Sequence, residues 1–222
     1  MKARNTENEF GPNETRRLEA FSDGVFAIAI TLLVLELIQI LHPQNDESLL
    51  IYYRHHWEPF LAFLIGFITI LVCWINHHHV FDYIKKIDSK LMWLNGFVLL
   101  VVTFTPFPTA ILAEFLEKEG KIALAIFGFN YVIIAIASYC ISAYAYRKHL
   151  IEEDRRDCFY YIKLTYGYSI VYTLLAFVVC FIYMPAAIVL YGLLFMVFAF
   201  PKEFANRLLR RRQKKIEKAK SK

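Results

Sequence analysis

Four stretches of this chain contain no Asp, Glu, Lys or Arg: Pro59–Phe81, Leu91–Ala113, Ile122–Tyr146 and Leu164–Pro201. A helix crossing a hydrocarbon core of ~30 Å needs about 20 mainly apolar residues, and each stretch exceeds that. A fifth run, Gly24–Leu41, is interrupted only by Glu36. Backbone groups in lipid must be satisfied internally, so spanning segments are helices or closed barrels. Barrel strands are short and alternate in polarity, which these runs do not. The chain therefore reads as an all-α integral membrane bundle. Its 58% hydrophobic and 20% charged residues exclude disorder, a collagen-like repeat, a disulfide scaffold and an ordinary soluble enzyme, since soluble domains carry about 25% charge.

Leu164–Pro201 is too long for one crossing at ~1.5 Å per residue. Tyr183-Met184-Pro185 lies near its middle, and proline disfavours helix both at its own position and just before it. Splitting the run there predicts six spans, roughly 18–41, 58–80, 91–113, 122–146, 163–182 and 186–204. The chain then divides into a polar segment 1–15, a six-helix transmembrane domain 16–206 and a basic tail 207–222. Of the 25 Lys and Arg residues, all but Arg54, Lys118 and Lys121 fall on one side of this arrangement. The positive-inside rule then makes both termini cytoplasmic, in agreement with an even number of spans. The net charge of +5 is a topology signal near anionic lipid, and nucleic acid is not an expected partner. Residues 1–17 lack the apolar core of a cleavable signal peptide. Cys73, Cys140, Cys158 and Cys180 form no CxxC pair, so neither a disulfide framework nor a cysteine metal site is expected.

Three further features resemble chemical motifs and do not support them. His77-His78-His79 and His55-His56 are adjacent, whereas helical metal ligands recur every three or four residues so that they share a face. No metal and no cofactor are expected. Thr165-Tyr166-Gly167-Tyr168-Ser169 echoes the carbonyl filter of ordinary potassium channels, but runs straight into an uncharged span and reads as the start of span five. No nucleophile, base and orienter can be assembled, so no enzyme activity is expected.

Span one carries the most information. Ser22 and Asp23 lie in its cytoplasmic third, and an ionised group at membrane depth needs a partner. At about 100° per residue, Leu32, Leu35, Thr31 and Gly24 lie within about 60° of Ile28, while Asp23 is about 140° away. One face can thus be held to neighbouring helices through Ser22 and Asp23, with His77 a candidate partner for Asp23. The Ile28/Thr31/Leu32/Leu35 face stays free for another surface, although periodicity alone would equally assign it to packing.

Arg17-x-x-x-Phe21-Ser22-Asp23, continuing through Gly24-Val25-Phe26-Ala27-Ile28-Ala29-Ile30-Thr31-Leu32-Leu33-Val34-Leu35, resembles the signature on the first helix of the transmembrane protein 175 family of potassium channels. Trp74-Ile75-Asn76-His77-His78, Asn95 and Pro106-Phe107-Pro108-Thr109 resemble its prokaryotic, single-repeat members. The resemblance implies a homotetramer of six-helix subunits in a prokaryotic cell membrane, with the first helices lining one central pore. It implies an apolar constriction at Ile28, Leu32 and Leu35, with Thr31 as a nearby polar contributor. It also implies a bonding network of Arg17, Phe21, Ser22, Asp23, Trp74, His77 and Asn95 that positions the first helix.

On that reading the chain is a potassium-permeable, modestly potassium-selective cation channel without a carbonyl filter. Stacked apolar rings gate by dewetting, and potassium sheds water more easily than sodium. Glu36 either concentrates cations at the outer mouth or packs at the interface. The alternative is an ion- or proton-coupled transporter, in which Pro106 and Pro108 would interrupt span three to build a midplane site.

Overall fold

The computed structural model describes residues 12–39, 48–55 and 57–199. Their fold is all-α: α1 (Pro12–Gln39), α2 (Leu49–His55), α3 (Glu58–Phe81), α4 (Ser89–Phe104), α5 (Pro106–Arg147), α6 (Arg156–Ile182) and α7 (Met184–Ala199), with a short 3₁₀ turn over Glu153–Arg155. The only β-type pairing among these residues is an isolated bridge between Ile84 and Ile151. Four segments are long and apolar enough to cross a membrane, one of them the continuous stretch Ser89–Arg147.

That stretch folds back on itself. Glu119, at φ −135° and ψ 42°, leaves the helical region inside α5. Asn130 Nδ2 donates to Thr105 Oγ1 at 3.0 Å, and Tyr144 donates to Asp88 Oδ2 at 2.5 Å. The second half of α5 therefore runs antiparallel to α4 and the first half of α5. Phe129 against Phe177 and Tyr146 against Tyr160 set α6 antiparallel in turn. At Tyr183, an extended residue (φ −144°, ψ 97°), the long apolar run breaks where the sequence predicts, and α7 returns along α6 with Tyr172 donating to the Leu190 carbonyl. Both reversals sit at one end, where Lys121 Nζ reaches the Phe181 carbonyl.

The opposite end is pinned by backbone bonds. Lys85 N–H donates to Leu150 O and Glu152 N–H to Tyr83 O, tying the α3–α4 connection to the α5–α6 connection. His149 adopts φ 54°, and Leu150 N–H reaches back to Ala145 O. This left-handed residue with a six-to-one bond closes the end of α5.

Pro106 and Pro108 do not interrupt span three. Thr105 between α4 and α5 keeps helical dihedrals (φ −55°, ψ −36°). Its N–H takes the Val102 carbonyl, the acceptor that Pro106 cannot use. Thr105 and Thr109 hydroxyls donate to Val101 O and Thr105 O. Hydroxyls re-satisfying the backbone are what let prolines persist at membrane depth. Two other boundaries differ from expectation. Helix α1 begins at Pro12, inside the segment assigned as polar, and the short helix α2 precedes α3. The tail 207–222 and residues 1–11 lie outside the described residues.

Phe26, Leu33, Ile70, Leu91, Val102 and Phe159 anchor the core around α1, α3, α4 and α6, and a second cluster around Phe127, Tyr131 and Tyr191 joins α5 to α7. Gly128 permits that second contact, because the Tyr191 hydroxyl occupies the space a Cβ there would take.

Candidate functional site: a helix with one bonded face and one bare face

Helix α1 packs antiparallel to α3 and also touches α4. Ser22, Phe26, Ala29 and Leu33 are all 2% exposed or less, and their spacing of three and four residues defines a single inward stripe. The opposite stripe is bare. Ile28 is 61% exposed, Leu35 50% and Leu32 45%, and Thr31 is exposed with its hydroxyl turned back onto the Ile28 carbonyl at 2.9 Å. Phe21 and Gly24 continue this stripe toward the helix start. The four residues singled out from the sequence thus share a face that the subunit itself leaves uncovered. The side chain of Glu36 lies outside the described residues.

A continuous polar chain fixes the inward face. Ser22 Oγ donates to Leu18 O at 2.8 Å, and Asn95 Nδ2 of α4 donates to Ser22 Oγ at 2.9 Å. His77 of α3 closes the chain at 2.7 Å from Asn95 Oδ1. An amide oxygen can only accept, so the shared proton sits on His77 Nε2. The His77 ring lies between Phe26 and Phe81, stacked on the latter at 4.4 Å. Ser22, Asn95 and His77 are all buried, so each bond forms where an unmade one would cost about 1–3 kcal/mol.

Asp23 has a different partner from the one the sequence suggested. Trp74 Nε1 donates to Asp23 Oδ1 at 2.8 Å, while His77 turns toward α4. The reason is helical phase. Trp74 and His78 are four residues apart and share the side of α3 that faces α1, whereas His77 is rotated off it by about 100° from its neighbour His78. The same geometry brings in two residues the sequence reading missed. His78 Nδ1 stands 3.0 Å from Glu19 Oε1, and its ring stacks on Trp74. Glu19/Asp23 on α1 and Trp74/His78 on α3 are thus two matched pairs at i,i+4 spacing. That spacing was the available signal, visible only once the two helices are known to be antiparallel neighbours.

Arg17 and Phe21 stand outside this network. Arg17 pairs with Glu14 at 2.9 Å on the surface, and Phe21 is 63% exposed. Phe21 is adjacent to Ser22, and the rotation of about 100° between neighbours carries it off the bonded face. Thr165, Tyr166 and Ser169, part of the filter-like string, lie buried within regular α6.

The family profile described as "Endosomal/lysosomal potassium channel TMEM175" matches residues 17–106, the stretch that holds both faces of α1 and all its bonded partners. A potassium channel of Chamaesiphon minutus is 45% identical over 126 residues, which are 56% of this chain and 62% of that protein. A potassium channel of Streptomyces collinus is 42% identical over 125 residues, 56% of this chain and 60% of its own length. The chain thus matches about three fifths of the length of these two relatives. The crystal structure of a lysosomal potassium-selective channel TMEM175 homolog from Chamaesiphon minutus superimposes with a TM-score of 0.75 and 36% identity, covering 86% of this chain and 98% of that one.

Proposed function

This chain belongs to the TMEM175 family, and from that premise we propose that it is a multi-pass membrane protein forming a potassium-permeable, modestly potassium-selective cation channel. The observation that carries the proposal is the division of α1 into a hydrogen-bonded inward face and a bare apolar stripe. A helix held this firmly to its own subunit presents the stripe at a fixed angle, as a pore wall requires.

Our reading has six crossings with both termini on the cytoplasmic side, and the hairpin within α5 and the α6–α7 reversal, added to α1 and α3, support it. Four copies meeting along the stripe stack Ile28, Leu32 and Leu35 as apolar rings around a central axis in a prokaryotic cell membrane. A narrow apolar ring dewets and so closes the path without a moving plug. A permeating ion gives up water there with no carbonyl to replace it. The larger, less tightly hydrated potassium ion loses less than sodium, so selection is modest. Thr31 hydroxyls offer the nearest polar atoms to the stripped ion.

The transporter alternative depended on a broken helix at Pro106 and Pro108. The helix there continues, with its carbonyls re-satisfied, so that reading loses its motivating feature.

The test is reconstitution of the full chain in liposomes with a potassium gradient. Current that reverses near the potassium potential, and shifts when sodium replaces potassium, is the expected result. Flux that saturates and requires a second solute would instead identify a coupled transporter.

A further inference from the structure

At the pinned end of the bundle, α4 and the second half of α5 leave a cleft of about 540 Å³ between them. Its chemistry is graded along the helix axes. Lys90, Arg147 and Lys148 line one end, and Leu94 and Cys140 line the other. Four residues of α4 separate Lys90 from Leu94, and seven of α5 separate Cys140 from Arg147, which at ~1.5 Å per residue is about 6–10 Å of depth. The helices are antiparallel, so cations meet cations and apolar side chains meet apolar ones. Tyr144 stands at the boundary.

Among the described residues, no acidic side chain lines the cleft. Asp88, the carboxylate that bonds the lining residue Tyr144, is already committed: Oδ1 accepts from Leu91 N–H and Oδ2 from Tyr144. Among the described residues neither Lys90 nor Arg147 has a carboxylate within ion-pair distance, and Lys90 lies 5.5 Å from the Tyr144 ring centroid. Other cations at this end have ring or carboxylate partners as well. Arg155 covers Tyr83, Arg156 and Lys163 cover Tyr146, and Lys85 pairs with Glu152. Trp93, on the same helix as Lys90, is 82% exposed, and exposed tryptophan at a helix end marks the headgroup level of a bilayer.

The geometry points to a binding site for an anionic phospholipid of the inner leaflet, its phosphate held by Lys90 and Arg147 and an acyl chain laid over Leu94 and Cys140. Basic pockets between spanning helices on the cytoplasmic side suit such headgroups. A soluble phosphate would satisfy the cations but would leave the apolar floor in water, which is why lipid is the chosen occupant. The site rests on membrane embedding and on the cytoplasmic placement of this end, and it stands whether or not the α1 stripe lines a pore.

The test uses the full chain in nanodiscs of equimolar phosphatidylglycerol and phosphatidylcholine, extracted gently and assayed for retained phosphatidylglycerol per subunit. Wild type is expected to retain it, and a Lys90→Gln/Arg147→Gln variant to retain about tenfold less. Lys85→Gln/Lys86→Gln, at the same end but outside the cleft, is expected to match wild type. Equal loss from both variants would overturn the site in favour of diffuse attraction, and displacement by inorganic phosphate would overturn it in favour of a soluble anion. A second readout needs no stability comparison. Brominated phosphatidylglycerol is expected to quench Trp93 fluorescence, defined by subtraction of Trp93→Phe, more than brominated phosphatidylcholine. Equal quenching by both lipids in wild type would refute the assignment.

Discussion

Asn95 of α4 donates to Ser22 of α1 across 2.9 Å, with both side chains buried. The bond matters because it is the middle of a three-helix chain, with His77 on its other side. Within that chain, Asn95 is the member that bonds side chains on two other helices at once.

Asn95→Leu is therefore expected to leave the buried His77 ring N–H without its acceptor, at a cost of about 1–3 kcal/mol, and to take from the Ser22 hydroxyl the bond it accepts while its donation to Leu18 O stays. Thermal unfolding of the purified protein in detergent measures the loss. Asn95→Asp keeps an acceptor for His77 but forfeits the donation to Ser22, and is expected to lie between Leu and wild type. A melting curve for Asn95→Leu that overlays wild type would contradict the network.

Trp74→Phe keeps an aromatic ring, smaller than the indole, and removes the N–H that donates to Asp23 at 2.8 Å. Hydrogen bonds to charged groups are worth about 1.5–3 kcal/mol. The expected result is a fall in stability of that order, with much of it already absent in an Asp23→Ala background. Additive losses in the double variant, measured by the same melts, would mean that the two residues do not act on one another.

Side chains on the two faces of α1 should fail in different ways. Ile28→Asn and Leu35→Asn place amides on the bare stripe, so they are expected to raise liposome potassium flux and weaken its preference over sodium while melting close to wild type. Leu33→Ala, on the inward face at 0% exposure, is expected to cost about 2–5 kcal/mol through the cavity it leaves, with the potassium preference unchanged. Stability loss for the stripe variants without any change in flux would place that stripe in packing.

Gly66 tests how tightly α3 holds α1. A Cβ there would lie 3.0 Å from Leu33 Cδ2 and 3.2 Å from Thr109 Cγ2, closer than ordinary contact. Gly66→Val is expected to overpack this junction by about 1–3 kcal/mol. Gly66→Val combined with Leu33→Ala is expected to recover part of that loss, because the smaller side chain vacates the space. No recovery in the double variant would show that α1 does not feel this contact.

Much of the helix plan was readable from charge-free runs, because lipid offers no alternative partner for the backbone. Span two, the break at Tyr183 and the straight passage of the filter-like string into α6 all follow from that rule. The effect of Pro106 and Pro108 did not follow. Proline's cost is local, but its remedy depends on neighbouring hydroxyls that reach carbonyls one turn back and on Asn130 arriving from the second half of α5 to bond Thr105.

The sequence by itself determined that α1 has two faces, because turn spacing places Ile28, Thr31, Leu32 and Leu35 together and sends Asp23 the other way. It also determined that Asp23 needs a partner, since a charge at depth is costly without one. Only the tertiary structure decided that the partner is Trp74, that Glu19 and His78 form the neighbouring pair, and that His77 serves α4 instead. Periodicity fixes angles within one helix. Which residues meet between helices depends on their direction and relative phase, and those are set by packing of the whole bundle.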